Sequence, residues 1–441
     1  MMSLRKRLAG LAADPHLREV ARGTVIALAL KLAGAALSFA FNVVVARLLG
    51  AAGVGVYFLA LSVAVIASIV GRIGLDSAIL RFVATHATRG EWGSVARIYA
   101  LSLRLAICAG SILTLLIFIA APWMAAVMFG KPELGEPLRW MSLSILPFAL
   151  LNLHAEALKG LKRIPEAMLI QGVGVPLVSL LVIVPLVGTA GTVGAVWAYL
   201  VATTLVALTA ALLWRRGSGR LPVDDSEFRF ATLWSSCKPL FVSSVMNRAI
   251  LPWAPLFLLG LWEAPEAVGV FGAATRVAIL VSFLLMAVNN VIAPKFAELQ
   301  AEGKLQMLGR TARRAALLVT ALTSPVFLVL VLGSEQIMLL FGPEFTSGAT
   351  ALAVLATGQL FNALCGSVSY ILIVTGHETD VRNFTIVSVI VQVVACILLI
   401  PMLGLLGAAI GAAAAVIVSN LLATVVVWRR LGIITLPLVR M

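Results

Sequence analysis

Charge is scarce in this 441-residue chain. Asp, Glu, Lys and Arg together make up 12% of it, against about 25% in an ordinary soluble domain. Acids are scarcer still, 19 against 33 bases. There are four cysteines (Cys108, Cys237, Cys365, Cys396), all in or beside apolar stretches, with no CxxC spacing and no neighbouring histidine. Disulfide and metal-ligand readings are therefore set aside for small apolar packing residues. The sequence contains no GxxxxGK[ST], no HExxH and no GxSxG, so it carries no built-in ATPase loop, zincin site or nucleophile elbow. Asp224-Asp225 lie in a polar linker and read as a solvated turn.

What the chain has in excess is apolar surface: 61% of residues belong to the set AVILMFWYC, and the mean hydropathy is +1.07. A water-soluble protein keeps a polar coat that this composition cannot provide. Soluble enzymes, nucleic-acid-binding modules and disordered chains are excluded, and a polytopic membrane protein is expected. The net charge of +14 then reads as Lys- and Arg-rich cytoplasmic loops, and no nucleic-acid partner is expected. The N-terminal segment MMSLRKRLAGLAADPHLREVARG has no continuous apolar core, because Asp14, Pro15, His16, Arg18 and Glu19 interrupt it. It reads as an amphipathic segment on the membrane surface and not as a cleaved signal.

A membrane-crossing helix needs about 20 apolar residues. Runs of that kind lie near 23–46, 54–80, 98–121, 138–158, 167–187, 192–214, 239–261, 267–292, 314–333, 347–374, 384–401 and 406–428. They are too long and too evenly apolar for barrel strands, so the expected class is all-α with twelve transmembrane helices. With the N-terminus inside, 25 of the 33 Lys and Arg fall in cytoplasmic segments, and only Arg47, Lys131 and Arg139 fall on the opposite side. The positive-inside rule therefore predicts both termini in the cytoplasm. The expected organisation is an interfacial segment 1–22, an N-lobe 23–214, a cytoplasmic linker 215–238, a C-lobe 239–428 and a cytoplasmic tail 429–441.

Four matches recur in order at nearly constant spacing. Gly55-Val56-Tyr57 pairs with Gly269-Val270-Phe271, and Met128-Phe129-Gly130 with Leu340-Phe341-Gly342. Pro185-Leu186-Val187-Gly188 pairs with Pro401-Met402-Leu403-Gly404, and Trp214-Arg215-Arg216 with Trp428-Arg429-Arg430. The offsets run from 212 to 216 residues. This is a duplication of six spans. Even-numbered halves enter the membrane alike, so a pseudo-two-fold axis along the membrane normal is expected. Two-lobed transporters of this design carry substrate between the lobes.

The remaining five cations lie inside spans: Lys31, Arg72, Arg104, Arg248 and Arg276. A charge at mid-bilayer costs at least a few kcal/mol, so it faces a cavity or a partner. Arg72 and Asp76, four apart, read equally as an internal pair or as part of a transport path. Arg104 reads as snorkelling to the cytoplasmic surface. Glu156, with His154 and Lys159, reads either as a solvated helix end or, with Asp76 and His154, as a site of ion coupling. Lys31, Arg248 and Arg276 have no acid within a turn. Asn42, Asn247, Asn289, Asn290, Gln359, Asn362 and Gln392 are further polar residues placed to line a cavity. A guanidinium without a carboxylate suits a phosphate-like anion. The candidate substrate site is therefore Lys31, Arg248, Arg276 and Arg72 with Asn42, Asn247 and Asn289.

The stretch NVVVARLLGAAGVGVYFLALSVAVIASIVGRIGLDSAILRFVA (42–84) resembles polysaccharide transporters of the O-antigen flippase type. So do APKFAEL (293–299) and the turn Gly376-His377-Glu378. The resemblance implies membership of the multidrug, oligosaccharidyl-lipid and polysaccharide exporter superfamily: two six-helix bundles forming a V around a central cavity. It also implies a flippase, not an enzyme, that moves a polyprenyl-pyrophosphate-linked oligosaccharide across the bacterial inner membrane for O-antigen or exopolysaccharide synthesis. The related drug exporters carry an acid in the N-terminal lobe, where this chain has Lys31 and Asn42. A cation-coupled multidrug antiporter is the alternative. No cofactor or metal is expected, and the membrane potential, a proton or sodium would drive the cycle. Expected partners are the lipid-linked oligosaccharide and membrane lipids, with a polymerase or glycosyltransferases as further candidates around a monomeric transporter.

Overall fold

The structure, a computed structural model, describes residues 15–219, 228–433 and 435; the side chains of residues 15–25, 27, 28, 284, 287, 290, 291 and 294, including Asn290, lie outside the description. Most of the expected interfacial segment and tail, and Asp224-Asp225, also fall outside it. Among the described residues all regular structure is helical. The first half runs through Pro15–Gly71 (α1), Leu75–Thr88 (α2), Trp92–Trp123 (α3), Gly135–Ser142 (α4), Ile145–Gly160 (α5), Ile164–Met168 (α6) and Val175–Ser218 (α7). The second runs through Phe230–Ser244 (α8), Leu251–Trp262 (α9), Pro265–Ala278 (α10), Leu280–Ala301 (α11), Leu305–Leu332 (α12) and Ser334–Leu339 (α13). It closes with Ala349–Cys365 (α14), Val368–Val374 (α15), Glu378–Leu403 (α16) and Leu405–Leu431 (α17).

Helices dominate because hydrocarbon offers backbone groups no hydrogen-bond partner outside the chain. Among the described residues nine helices are long and apolar enough to cross a membrane, and a tenth forms if Pro132–Ser142 and Ile145–Gly160, bent by 42°, are one span. Two of the nine are hairpins. In α1 the rings of Phe41 and Tyr57 stand 6.4 Å apart, where a straight helix would separate them by about 24 Å. The reversal is at Gly50 (φ 67°, ψ 178°). In α7 it is at Ala190 and Gly191. Gly191 (φ 53°, ψ −128°) and Gly404 (φ 55°, ψ −130°), between α16 and α17, share one conformation that disfavours any Cβ. The structural equivalent of Gly404 is thus Gly191, three residues beyond the Gly188 that the sequence match selects.

Outward faces are apolar. Leu115, Leu116 and Ile119 of α3, Leu181 and Val184 of α7, Val329 and Leu332 of α12, and Leu398 and Met402 of α16 are all exposed, as a lipid-facing surface requires. Inside, one apolar core joins both halves through Val45, Tyr57, Leu59, Val268, Phe271 and Ala274. Separate clusters fill the first half around Leu75, Ile79, Leu158 and Trp214, and the second around Phe296, Leu308, Ile371 and Val427.

The halves cross backbone to backbone. A Cβ on Gly55 would lie 1.7 Å from the Pro265 carbonyl oxygen, and one on Gly269 would lie 2.1 Å from that of Ala51. Residues 55 and 269, and 51 and 265, are each 214 apart, so the crossing is one contact made twice about a pseudo-two-fold axis. Only glycine permits this approach.

Two polar clasps close the same end. Arg47 donates from Nε to Leu340 O at 2.8 Å and from Nη2 to Leu339 O at 3.2 Å. Lys131, buried, donates from Nζ to Gly260 O at 2.6 Å and to Phe129 O at 3.1 Å. Each clasp joins a helix end in one half to the third-to-fourth connection of the other. The third cation of this end, Arg139, sits 5.3 Å from the Phe118 ring centroid.

Candidate functional site: a cationic cavity between the lobes

Away from the clasped end the lobes enclose a cavity of about 460 Å³, within the usual range for a ligand site. Lys31, Ser38 and Asn42 enter it from the first limb of α1, Gln171 from the fifth-span region, and Arg276, Leu280 and Phe283 from α10 and α11. Gln171 is carried by a π-helical turn, Leu169–Gly174. Such turns widen a helix and re-aim its side chains. The turn also brings Gly172 against α1, where a Cβ on Gly34 would meet Gly172 O at 2.6 Å.

Arg276 has no carboxylate partner among the described residues. Its Nη1 donates to Gly272 O, one turn back, at 2.9 Å. Its guanidinium carbon lies 3.7 Å from the centroid of the Phe58 ring and 5.9 Å from that of Trp253. Desolvated cation–π contacts contribute about 2 kcal/mol, while a guanidinium has five N–H donors. Packing orients this group and leaves most of its donors open. The Lys31 side chain makes no hydrogen bond or ion pair among the described residues, and it lines the same cavity as Arg276 from the opposite lobe. Asn42 donates to Ser38 O at 2.6 Å, which turns its carbonyl oxygen to other partners.

Arg248 is elsewhere. It lies on a second π-helical turn, Val245–Ile250, and its Nη1 meets Asp76 Oδ2 at 3.0 Å across the lobe boundary. Asp76 Oδ1 meets Arg72 Nε at 3.0 Å, with both of those side chains buried. The expectation of three lone cations thus resolves into two on one cavity and a third in an Arg-Asp-Arg cluster. Arg72 and Asp76 flank a helix break at Ile73 and Gly74. The cluster belongs to a closed seam: Arg81 donates to Ser236 Oγ at 2.9 Å, and the Phe82 and Phe228 rings stand 5.3 Å apart. Asn247, exposed, donates to Ser243 O at 3.0 Å on its own helix.

Behind the cavity, Glu156 is buried and accepts from Lys159 Nζ at 2.9 Å and from Gln171 Nε2 at 3.2 Å. His154 is held between Tyr99 OH at 2.9 Å and Leu150 O at 2.6 Å. Arg104 is exposed. Asn289 lies in a second, uncharged cavity of about 240 Å³ in the C-lobe, with Asn362 and Asn420. Gln392 donates from Nε2 to Leu251 O at 2.9 Å, and its buried Oε1 has no hydrogen-bond partner among the described residues. Sequence reading missed Gln171 and the aromatic cradle of Arg276. Gln171-Gly172-Val173-Gly174-Val175-Pro176, a polar residue ahead of two glycines and a proline in an apolar run, was the available signal for the first.

Fold and cavity together define a two-lobed membrane transporter, and the comparisons place it. The family described as polysaccharide biosynthesis protein matches residues 20–300, and the MatE family matches 244–398. The chain belongs to the polysaccharide biosynthesis protein family and is a transporter, not an enzyme. It is 23% identical over 418 residues to the "Probable low-salt glycan biosynthesis flippase Agl15" of Haloferax volcanii, covering 92% of this chain and 82% of that protein. A stretch of 139 residues is 31% identical to stage V sporulation protein B of Bacillus subtilis, over 32% of this chain and 26% of that one. Among solved structures, an inward-facing multidrug resistance MATE transporter superposes with a TM-score of 0.78 at 17% identity, covering 93% of this chain and 98% of that chain. The lipid II flippase MurJ in an inward closed conformation gives 0.77 at 12% identity, covering 91% and 87%. These likenesses are to the fold.

Proposed function

We propose that this protein is a flippase for a polyprenyl-pyrophosphate-linked oligosaccharide, serving surface-polysaccharide synthesis. The observation that carries the reading is that Lys31 and Arg276, from opposite lobes and without carboxylate partners among the described residues, line one cavity. The flippase relatives support the substrate class. Arg276 grips the pyrophosphate through paired N–H donors, Lys31 adds a mobile point charge, and Asn42 and Gln171 supply neutral hydrogen bonds. The polyprenyl tail stays in lipid beside the first limb of α1 and α11, where the cavity lies, since the other seam is shut by the Asp76 cluster. Rocking of the lobes about the Gly55–Gly269 crossing releases the Arg47 and Lys131 clasps and exposes the cavity to the opposite side.

The Lys and Arg distribution supports cytoplasmic termini, an N-lobe of 23–214 and a C-lobe of 239–428 in a bacterial inner membrane. Counting each limb of the two hairpins supports twelve spans. Membrane potential, a proton or sodium supplies the energy, and the transporter works as a monomer beside glycosyltransferases or a polymerase.

The test is a reconstituted flipping assay with fluorescent lipid-linked oligosaccharide. Charge-assisted hydrogen bonds contribute about 1.5–3 kcal/mol each, so Lys31→Ala with Arg276→Ala lowers transport by two or more orders of magnitude at unchanged protein level. Normal flipping by that double variant overturns the reading. The alternative, a cation-coupled multidrug antiporter, is supported by the MatE match over residues 244–398. Both intramembrane acids here are paired with cations. Loss of drug efflux in Asp76→Asn with intact lipid flipping would favour it.

A further inference from the structure

We infer that the uncharged C-lobe cavity around Asn289, Asn362 and Asn420 is a sugar-binding subsite, holding a neutral pyranose of the cargo while the cationic cavity holds its phosphates. The inference rests on the flippase reading above. Three observations lead to it.

The first is position. Leu280 and Phe283 of α11 line the cationic cavity, and Ser282, Leu285 and Asn289 of the same helix line the second one. Phe283 and Met286, one on each cavity, are a single turn apart, about 4.5 Å along the axis. The two spaces share α11 as a wall, so the second lies one helical turn from the first.

The second is the chemistry of the lining. Among the described residues no Asp, Glu, Lys, Arg or His borders this cavity; its polar groups are amides and hydroxyls, with Tyr370 at the rim. An Asn side chain offers donors and acceptors together. A sugar hydroxyl, also donor and acceptor, matches that set, and a pyranose face matches an aromatic ring. A phosphate would find no cation here. A hard metal ion needs carboxylate or convergent oxygen ligands, and the amide nitrogens beside these oxygens oppose it.

The third is unspent hydrogen-bonding capacity. Asn289 is 8% exposed and accepts on Oδ1 from Ser367 Oγ, leaving its Nδ2 free among the described residues. Asn420 is 9% exposed and donates to Val416 O at 2.9 Å, leaving its Oδ1 free among the described residues. Neither free atom is among the occluded unpaired atoms. The side chains of Asn362 and Tyr370 make no hydrogen bond among the described residues. The free amide atoms are open to the cavity, placed for a ligand or for the water it displaces.

The experiment uses purified full-length protein in nanodiscs and two probes: sugar-free undecaprenyl pyrophosphate, and the lipid-linked oligosaccharide extracted from cells that make this protein. Asn289→Ala combined with Asn362→Ala is expected to weaken binding of the glycosylated lipid by about tenfold and to leave the sugar-free lipid unchanged. Arg276→Ala weakens both. Tyr370→Ala, at an exposed rim residue, gives a smaller loss for the glycosylated lipid alone and does not disturb packing. On the wild type, oligosaccharide released by mild acid competes with the glycosylated lipid and not with the sugar-free one. Equal loss for both probes, no loss for either, or a loss that appears only with added sodium overturns the subsite. Failure of the wild type to bind either probe overturns the flippase reading instead.

Discussion

The two halves of this protein share a backbone and differ in chemistry. In the N-lobe ionic pairs reach the interior: buried Arg72 with buried Asp76, and buried Glu156 with Lys159. In the C-lobe the corresponding interior is held by amides and hydroxyls: Ser282 with Gln359, Ser367 with Asn289, and Gln392 with a backbone carbonyl. At the shared offset of 214, Asp76 corresponds to Asn290 and Arg72 to Met286. At these two positions the copies of one scaffold differ in charge. A buried ion pair is costly to break because one charge is left alone, whereas a neutral hydrogen bond contributes about 1 kcal/mol. The N-lobe is thus the more rigidly specified wall, and the C-lobe the one free to meet an uncharged ligand.

The largest effect expected tests what the halves share. Gly55→Ala and Gly269→Ala each drive a methyl into a backbone carbonyl of the other half, and both should abolish accumulation of folded protein in the membrane. Gly172→Ala, with nothing within 4 Å of the new Cβ, should accumulate normally. A tolerated Gly55→Ala beside a lethal Gly269→Ala would break the two-fold equivalence.

Next comes the chemical difference. Asp76→Ala leaves the buried Arg72 guanidinium without its carboxylate and should cost about 3–5 kcal/mol, read as a lowered midpoint of thermal unfolding in detergent. Asn289→Ala should cost about 1 kcal/mol. Equal shifts would erase the distinction between an ionic and an amide interior. A smaller effect separates the clasps. Lys131→Ala removes a buried cation and should raise the population open at that end about tenfold, measured by spin-label distances across it. Arg47→Ala, exposed, should raise it only two- or threefold. Reversal of that order would assign the main closure to Arg47.

The helical membrane class and the duplication were legible because both are written in local composition and constant spacing. Lys31, Asn42 and Arg276 were legible as residues needing a reason to be in hydrocarbon, and the fold brings them to one cavity. The partner of Arg248 was not, because Asp76 lies 172 positions away and only the lobe crossing joins them. Asn289 was singled out as polar, but its separation from the cations depends on which side of α11 it occupies, and a one-dimensional pattern of polar residues does not resolve that. Gln171 escaped because its aim depends on a π-turn that residue type alone does not announce. The helix breaks at Ile73 and at Ile279 likewise interrupt runs that read as continuous.

The glycine crossing lies at residues 51–55 and 265–269, close to the clasped end, while Lys31 stands some 19 residues down the first limb of α1, about 28 Å at helical rise. The lobes are therefore levers of unequal arm. A swing of about 10° moves the Lys31 end by about 5 Å and the clasped end by far less. The fulcrum favours a wide mouth on one side of the bilayer and a narrow slot on the other.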